Sequence, residues 1–558
     1  MLGWLDGIFG DLDTNAPLLE PDDPALVAYL HAMPGSGKTY LIDRWLFLRQ
    51  ERAKEAGQTD MPSLVVDLPL DRKREYSAED LRNELVAKLR LGGTNPEAEL
   101  RAALQHRFLR IENVDSPEFG HAVAELASSL IGCRLIVSGR WFAEGSVPKR
   151  WRQQAVELLT PEQAAQQFAQ EVGEEFWNGL TEDQREALTI RTARLPLAIH
   201  LAAGFLMKGT SVEKLLDRLP QLTLQDADDP RFGQSVLKIM FDELWKSLDQ
   251  TLRSQPWLNA DELLAGFRRL GFAHPAGIGR SLAAATSGLS EEDLDDLLVE
   301  AATLHLVELE PDSDRFRLHP LIAEQLTASV EQSPVDAAVT DWFCERLPEP
   351  EDQTVHNTAW HEIHAEHDAL VSWLESLPDE REVLVRVEQA GSWFAMLNGP
   401  FGPWVRLCER GLLAGDASTD RSNFLWTLGQ CADRNGDGDR ALAASSEKAK
   451  LEKDRGEDRL QALALGLQAD VLQARGELDE ALRIRREEQL PVYERLGATR
   501  DLLVGRAKLA LNLLARNAPG DREEAAELLR QARAAAEKMG IPEAGQIREI
   551  QEREGLEF

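Results

Sequence analysis

Residues 32–39 read Ala-Met-Pro-Gly-Ser-Gly-Lys-Thr, an order of residue types that can hold a chain of phosphates. Gly35 and Gly37 carry no Cβ, so the backbone N–H groups around them can converge on phosphate oxygens. Lys38 then brings an ammonium to the β- and γ-phosphates, and the Thr39 hydroxyl stands where a Mg²⁺ ligand is needed, at the start of a helix. Pro34, Gly35, Ser36, Gly37, Lys38, Thr39 and Tyr40 are therefore the expected nucleotide-contacting run. Ala32 stands where the pattern GxxxxGK(S/T) has its first glycine, a change tolerated at negative φ.

A phosphate loop needs a strand before it and a helix after it, and the chain supplies both. Leu-Val-Ala-Tyr-Leu-His-Ala precedes the loop and the amphipathic Leu-Ile-Asp-Arg-Trp-Leu-Phe-Leu-Arg follows it. Three further apolar runs, at 63–70, 108–115 and 133–140, alternate with helical patterns, as buried strands of a parallel α/β sheet do. Glu112 ends the second of these runs, where a carboxylate can hold Mg²⁺ through water, so Thr39 and Glu112 are the candidate metal ligands. The next position is Asn113 rather than a second acid. Hydrolysis is therefore expected to be slow, with Asp115 as a substitute for positioning water or, equally, a solvated residue.

From residue 160 onward Ala, Leu, Glu and Arg dominate, with apolar residues at three- and four-residue spacing, which predicts helices. Residues 306–319 break the pattern: two short alternating runs flank Pro-Asp-Ser-Asp, as in a β-hairpin, and after helices this reads as the wing of a winged helix. Farther along, Gly-Asp-Gly-Asp-Arg-Ala-Leu at Gly436 recurs as Gly-Glu-Leu-Asp-Glu-Ala-Leu at Gly476 and as Gly-Asp-Arg-Glu-Glu-Ala-Ala at Gly520. Gly456, Gly497 and Gly540 keep the same beat. A period of about 40 residues in helical sequence means stacked helical hairpins resembling tetratricopeptide repeats, with a glycine at each turn.

At 558 residues the chain is too long for one core, and several domains are expected. A formal charge of −34 repels phosphate backbones and anionic lipid headgroups, which argues against nucleic acid and membrane partners. Four widely spaced cysteines, no basic leader and no long apolar run point to a cytoplasmic protein. His361, His364 and His367 recur at i, i+3 near His356, but without a HExxH pattern a solvated helix face is the expectation. No GxSxG or cysteine-nucleophile signature is present.

Taken in order, these segments resemble the STAND class of P-loop NTPases, the NB-ARC proteins in particular, over roughly residues 25–330. Cys-Arg-Leu-Ile-Val-Ser-Gly-Arg resembles the family's sensor strand, which implies Arg140 as reader of the γ-phosphate. Ala-Arg-Leu-Pro-Leu-Ala resembles the GLPLA motif, with Arg194 for its glycine, and implies Pro196 against the adenine. Arg-Leu-His-Pro-Leu resembles the MHD segment, with Pro320 for its aspartate, and implies His319 near the β-phosphate.

The resemblance implies a mostly α-helical protein: an N-terminal segment 1–24, an α/β P-loop NTPase domain 25–160, an all-α lid 161–225, a winged helix 226–330, a helical linker 331–382 and a tetratricopeptide-like superhelix 383–558. ATP or ADP with Mg²⁺ is the implied cofactor. Lys38, Glu112, Asp115 and Arg140 are the implied catalytic set. The implied function is a signalling switch, in prokaryotic antiviral defence for example, in which a protein or peptide trigger on the repeats releases a homo-oligomer that recruits a separate effector protein. No autonomous effector is expected before the loop. Leu2, Trp4, Leu5, Ile8 and Phe9 form an apolar stripe that either docks such a partner or packs on the protein's own core. A non-hydrolysing nucleotide-bound scaffold or regulatory protein-interaction module, and an ATP-dependent transcription regulator without its own DNA-binding domain, are the alternatives.

Overall fold

In the computed structural model, residues 2–9, 24–32, 35–55, 65–68, 76–89, 91, 96–104, 107–139, 147–219, 230–310, 313–328, 330–348, 359–415 and 418–556 are described. They fall into two compact units. The first comprises Met1–Leu85, Arg101–Arg346 and Asp352–Trp373, and the second Val86–Leu100, Leu347–Glu351 and Leu374–Phe558.

The first unit is built on a parallel sheet of β1 (Leu26–His31), β2 (Val65–Leu68), β3 (Phe108–Ile111), β4 (Arg134–Gly139) and β5 (Arg152–Ala155), in the order β2-β3-β4-β1-β5. β1 and β4 are central and almost wholly buried, which is why they read as unbroken apolar runs. Register pairs Leu30 with Ser138 and His31 with Gly139, and on the other side of β4 Ile111 with Val137. The C-terminal ends of β1, β3 and β4 thus lie side by side. β5, Arg-Gln-Gln-Ala, has no apolar residue before its last position; as a half-exposed edge strand on β1 it needs none.

The helix α1 (Leu2–Phe9) packs on this sheet through its apolar stripe. Leu5 is fully buried and Phe9 nearly so, in one core with Ala28, Leu30, Ile42, Trp45, Phe108 and Ile136, and Trp4 and Ile8 lie against it. Phe9, Trp45 of α2 (Lys38–Glu55) and Phe108 of β3 form an aromatic triangle. Phe108 meets the other two edge-on, with centroids 5.1 and 5.2 Å apart. The Trp45 indole N–H donates to Asp6 Oδ1 at 2.9 Å, which fixes the helix along its length. Of the two roles open to the stripe, the structure assigns it to the protein's own core.

Helices follow β5 to the end of the unit, broken by a small antiparallel sheet of β6 (Ile278–Gly279), β7 (Glu308–Leu309) and β8 (Arg315–Arg317), ordered β6-β8-β7. β7 and β8 are the hairpin expected at 306–319.

The second unit is helical among its described residues. Gly438–Arg455 packs on Asp458–Ala474, and Thr499–Arg516 packs on Asp521–Met539. Gly436, Gly456, Gly476, Gly497, Gly520 and Gly540 all have positive φ, a backbone state that a glycine enters without steric cost. Between residues 478 and 496 the helix widens into a π segment at Ile484–Gln489. Pro491 follows directly; having no N–H, it cannot continue an α-helical ladder, and the wider turn absorbs the missing bond. Arg485, fully buried in the π segment, pairs with Asp470, which Lys508 also contacts, so one carboxylate ties three helices together.

Among the described residues no helix is long and apolar enough to cross a membrane. All four cysteines are buried free thiols. Phe9→Ala should destabilise the first unit by about 3 kcal/mol through loss of the aromatic triangle, read as a lower urea midpoint. A wild-type midpoint would place the helix off the core.

Candidate functional site

The loop between β1 and α2 takes its shape from its glycines. Gly35 and Gly37 stand at φ +76° and +84°, in the left-handed region. A Cβ on Gly37 would come 3.3 Å from Pro196 Cγ, and one on Gly35 would come 3.2 Å from Leu237 Cδ1. Ser36 is buried between them with its Oγ lacking a hydrogen-bond partner among the described residues. Lys38 Nζ curls back to the Ala32 carbonyl at 3.0 Å, keeping its charge over the loop. An ammonium, two left-handed glycines and an orphaned hydroxyl gather on this loop, or cradle, as a donor set that fits phosphate. Thr39 and Tyr40, in the first turn of α2, are exposed, Tyr40 at 70 %. Pro34 and Arg140 lie outside the described residues.

Glu112 and Asp115 follow the end of β3, beside the end of β4. Ser138 Oγ donates to Glu112 Oε1 at 3.4 Å. The chain then turns sharply, with Asn113 at φ +59°, a conformation that asparagine tolerates better than most residues. The turn brings Val114 N–H to the Ser138 carbonyl at 3.0 Å. It also lays the Val114 carbonyl against the end of β4 so closely that a Cβ on Gly139 would sit 2.0 Å from it. Gly139 therefore sets how Glu112 and Asp115 leave the sheet. Burial, then the charge of Asp115, pushes the Tyr29 phenol up, so it stays protonated. Burial, then the charge of Lys38, holds the His31 imidazole below its ordinary pKa, neutral near pH 7 beside the cradle.

The helix Pro196–Met207 closes on the loop from the far side. Pro196 meets Gly37, and Leu197 donates its N–H to the Gly35 carbonyl at 3.3 Å. Its start is fixed by Gln167, whose side chain donates to the Pro196 carbonyl at 3.1 Å. Ala193 and Arg194 precede it at φ +51° and +52°, so Arg194 occupies a left-handed position where glycine would be unstrained. His319 caps the helix Pro320–Thr327, its Nδ1 accepting from Leu321 N–H at 3.2 Å.

The structure thus brings Pro196 and Leu197 to Gly35 and Gly37, which are far apart in sequence, and sets Glu112 beside Ser138 of β4, the strand paired with β1. Sequence reasoning passed over His31, Ser138, Gly139 and Leu197. Their positions at strand and helix ends adjoining the motifs were the available signal; Leu237 gave none.

In the second unit, Leu442, Leu465, Leu472 and Ile484 line a cavity of about 400 Å³ rimmed by Ser446, Gln468, Glu480, Arg483 and Glu488. Arg483 is held by Glu480 at 2.7 Å and by Glu488 at 2.7 Å.

Neither protein-family models nor curated proteins match the chain. Among solved structures it is similar to a signal transduction ATPase with numerous domains (STAND) protein with a tetratricopeptide repeat sensor from Pyrococcus horikoshii, at 11% identity over 95% of this chain and 82% of that one, TM-score 0.42. It is also similar to the ORC2 protein of Aeropyrum pernix in ADPNP–ADP complexes, at 13% identity over 57% of this chain and 88% of that one, TM-score 0.23.

Gly139→Ala should force β3 and β4 apart and lower the stability of the first unit by at least about 3 kcal/mol. Gly7→Ala, where the structure leaves open space around an added methyl, should be neutral or slightly stabilising. Thermal unfolding that ranks the two equally would contradict the tight crossing.

Proposed function

We propose that residues 25–160 bind ATP or ADP with Mg²⁺ in the cradle formed by residues 32–40, and that the nucleotide state sets a STAND-type signalling switch. The observation that carries the reading is the direct contact between the loop and the helix Pro196–Met207, through Leu197 N–H on the Gly35 carbonyl and Pro196 on Gly37. To meet a phosphate, Lys38 must leave the Ala32 carbonyl and the peptides at 35–37 must turn their N–H groups inward. The Gly35 carbonyl that holds Leu197 turns with them. Bound Mg²⁺ would neutralise phosphate charge, with the Thr39 hydroxyl and, through water, Glu112 as its ligands.

One neutral hydrogen bond is worth about 1 kcal/mol, roughly a fivefold change in population. Inverting a two-state equilibrium takes about 5.5 kcal/mol, so further contacts must also distinguish the nucleotides. In this reading Pro196 of the lid 161–225, His319 of the winged helix 226–330 and Arg140 supply them. The linker 331–382 connects these to repeats at 383–558, where a protein or peptide trigger binds; the cavity beside Arg483 offers an apolar floor and a charged rim for a side chain of that partner. Release then permits a homo-oligomer that engages a separate effector protein. Asn113, in place of a second acid, suits a slow ATPase, with Asp115 left to position water.

Lys38→Ala should weaken ADP and ATP at least about tenfold in a fluorescent-nucleotide titration; unchanged affinity would sink the site. Glu112→Gln should keep nucleotide and slow single-turnover phosphate release, whereas no release from the wild type, with or without a partner, would favour the scaffold. His319→Asn, which retains an acceptor for the Leu321 N–H, should raise the assembled fraction by light scattering, and an unchanged monomer would count against its role as a restraint.

A further inference from the structure

Away from the loop, three side chains from distant parts of the sequence converge: Glu171 on the helix Pro161–Val172, His200 on the helix Pro196–Met207, and His305 in the turn after the helix Glu291–Thr303. Each offers one ligand atom, and those atoms lie within 4.8 Å of one another. We propose that Glu171, His200 and His305 bind one divalent first-row transition-metal ion of the Zn²⁺ kind, which fastens two helices to the turn before β7.

Two imidazoles and a carboxylate select such an ion over Mg²⁺ or Ca²⁺, which take oxygen donors. His200 Nδ1 and Glu171 Oε2 already meet at 3.0 Å. Moving the imidazole proton to Nε2 frees the Nδ1 lone pair for the ion without net loss of a proton. His305 Nδ1 lies 2.9 Å from the His200 carbonyl and donates to it, which leaves Nε2 as the free donor; a backbone carbonyl behind a ligating histidine is the usual outer support. The same turn is drawn in by the absence of a side chain at Gly204, where a Cβ would sit 3.1 Å from the Leu304 carbonyl. His305 itself is held at φ +57°.

The two rings are now stacked, with centroids 4.0 Å apart and planes at 19°. Donors around a tetrahedral Zn²⁺ stand about 3.4 Å apart, so coordination asks for a contraction of at most about 1.4 Å and a tilt of the rings, within reach of χ2 rotation. His200 and Glu171 keep 32 % and 25 % of their side-chain surface exposed, which gives the ion an entry path and leaves room for a water as fourth ligand. Glu300 on the third element is engaged by Lys208 at 2.9 Å and by Gln255 at 3.2 Å, so it is committed elsewhere.

The test is a titration of the full chain with Co²⁺ in excess Mg²⁺, which saturates all-oxygen sites. The expected result is visible d–d absorption saturating at one equivalent and reversed by Zn²⁺. His200→Gln and His305→Gln should each weaken binding at least about tenfold. Glu171→Gln, which preserves volume and a partner for His200, should weaken it too and gives a second route if a histidine variant misfolds by far-UV circular dichroism. His361→Gln/His364→Gln should bind as the wild type does. No Co²⁺ spectrum from the wild type, wild-type affinity in a folded His200→Gln/His305→Gln protein, or loss of binding in His361→Gln/His364→Gln would each overturn the proposal.

Discussion

Tight packing at two glycines organises the loop that follows β1 in the first unit. Gly35 and Gly37 place the loop after β1 in left-handed turns, where a Cβ would press on Leu237 at 3.2 Å or on Pro196 at 3.3 Å. Because the loop is thin there, the helix Pro196–Met207 can bring a backbone N–H to its carbonyl. A side chain at 35 or 37 would be strained by the positive φ and would crowd the neighbouring helix at the same time. The shape of the loop and its contact with that helix are therefore one feature.

The sheet makes that feature possible by aligning the ends of β1, β3 and β4. The alignment rests on a second close approach, the Val114 carbonyl against Gly139, and on a core in which Phe9, Trp45 and Phe108 lock α1, α2 and β3. The core determines where α2 begins, and hence where Lys38 and Thr39 stand. Arg110 on β3 pairs with Asp43 on α2, adding a polar tie on the same helix.

The four apolar strands were legible because each carries a short run rich in apolar residues, and β1 and β4 are buried along almost their whole length. β5 was not, since an edge strand pairing with β1 on one side needs backbone rather than apolar side chains. The repeat glycines were legible because positive φ at a helix end is a local requirement that glycine meets best. The glycines of the loop after β1 were legible for the same reason. The π segment ahead of Pro491 and the partners of the loop, Leu197 and Leu237, depend on which helices meet across the unit, and no local pattern encodes that. Glu171, His200 and His305 were invisible in sequence on the same ground: they lie on three elements and share no spacing.

Hydrogen exchange of the amides at 35–39 and 193–203, without nucleotide and with saturating Mg²⁺–ADP and Mg²⁺–ATP, tests the central claim most directly. Coupling through Leu197 and the Gly35 carbonyl predicts that both segments change protection together, and that ADP and ATP leave 193–203 in different states. Protection confined to 35–39, with 193–203 exchanging identically in all three conditions, would mean that the loop binds nucleotide without moving the helix; no change in either segment would remove the loop as the site.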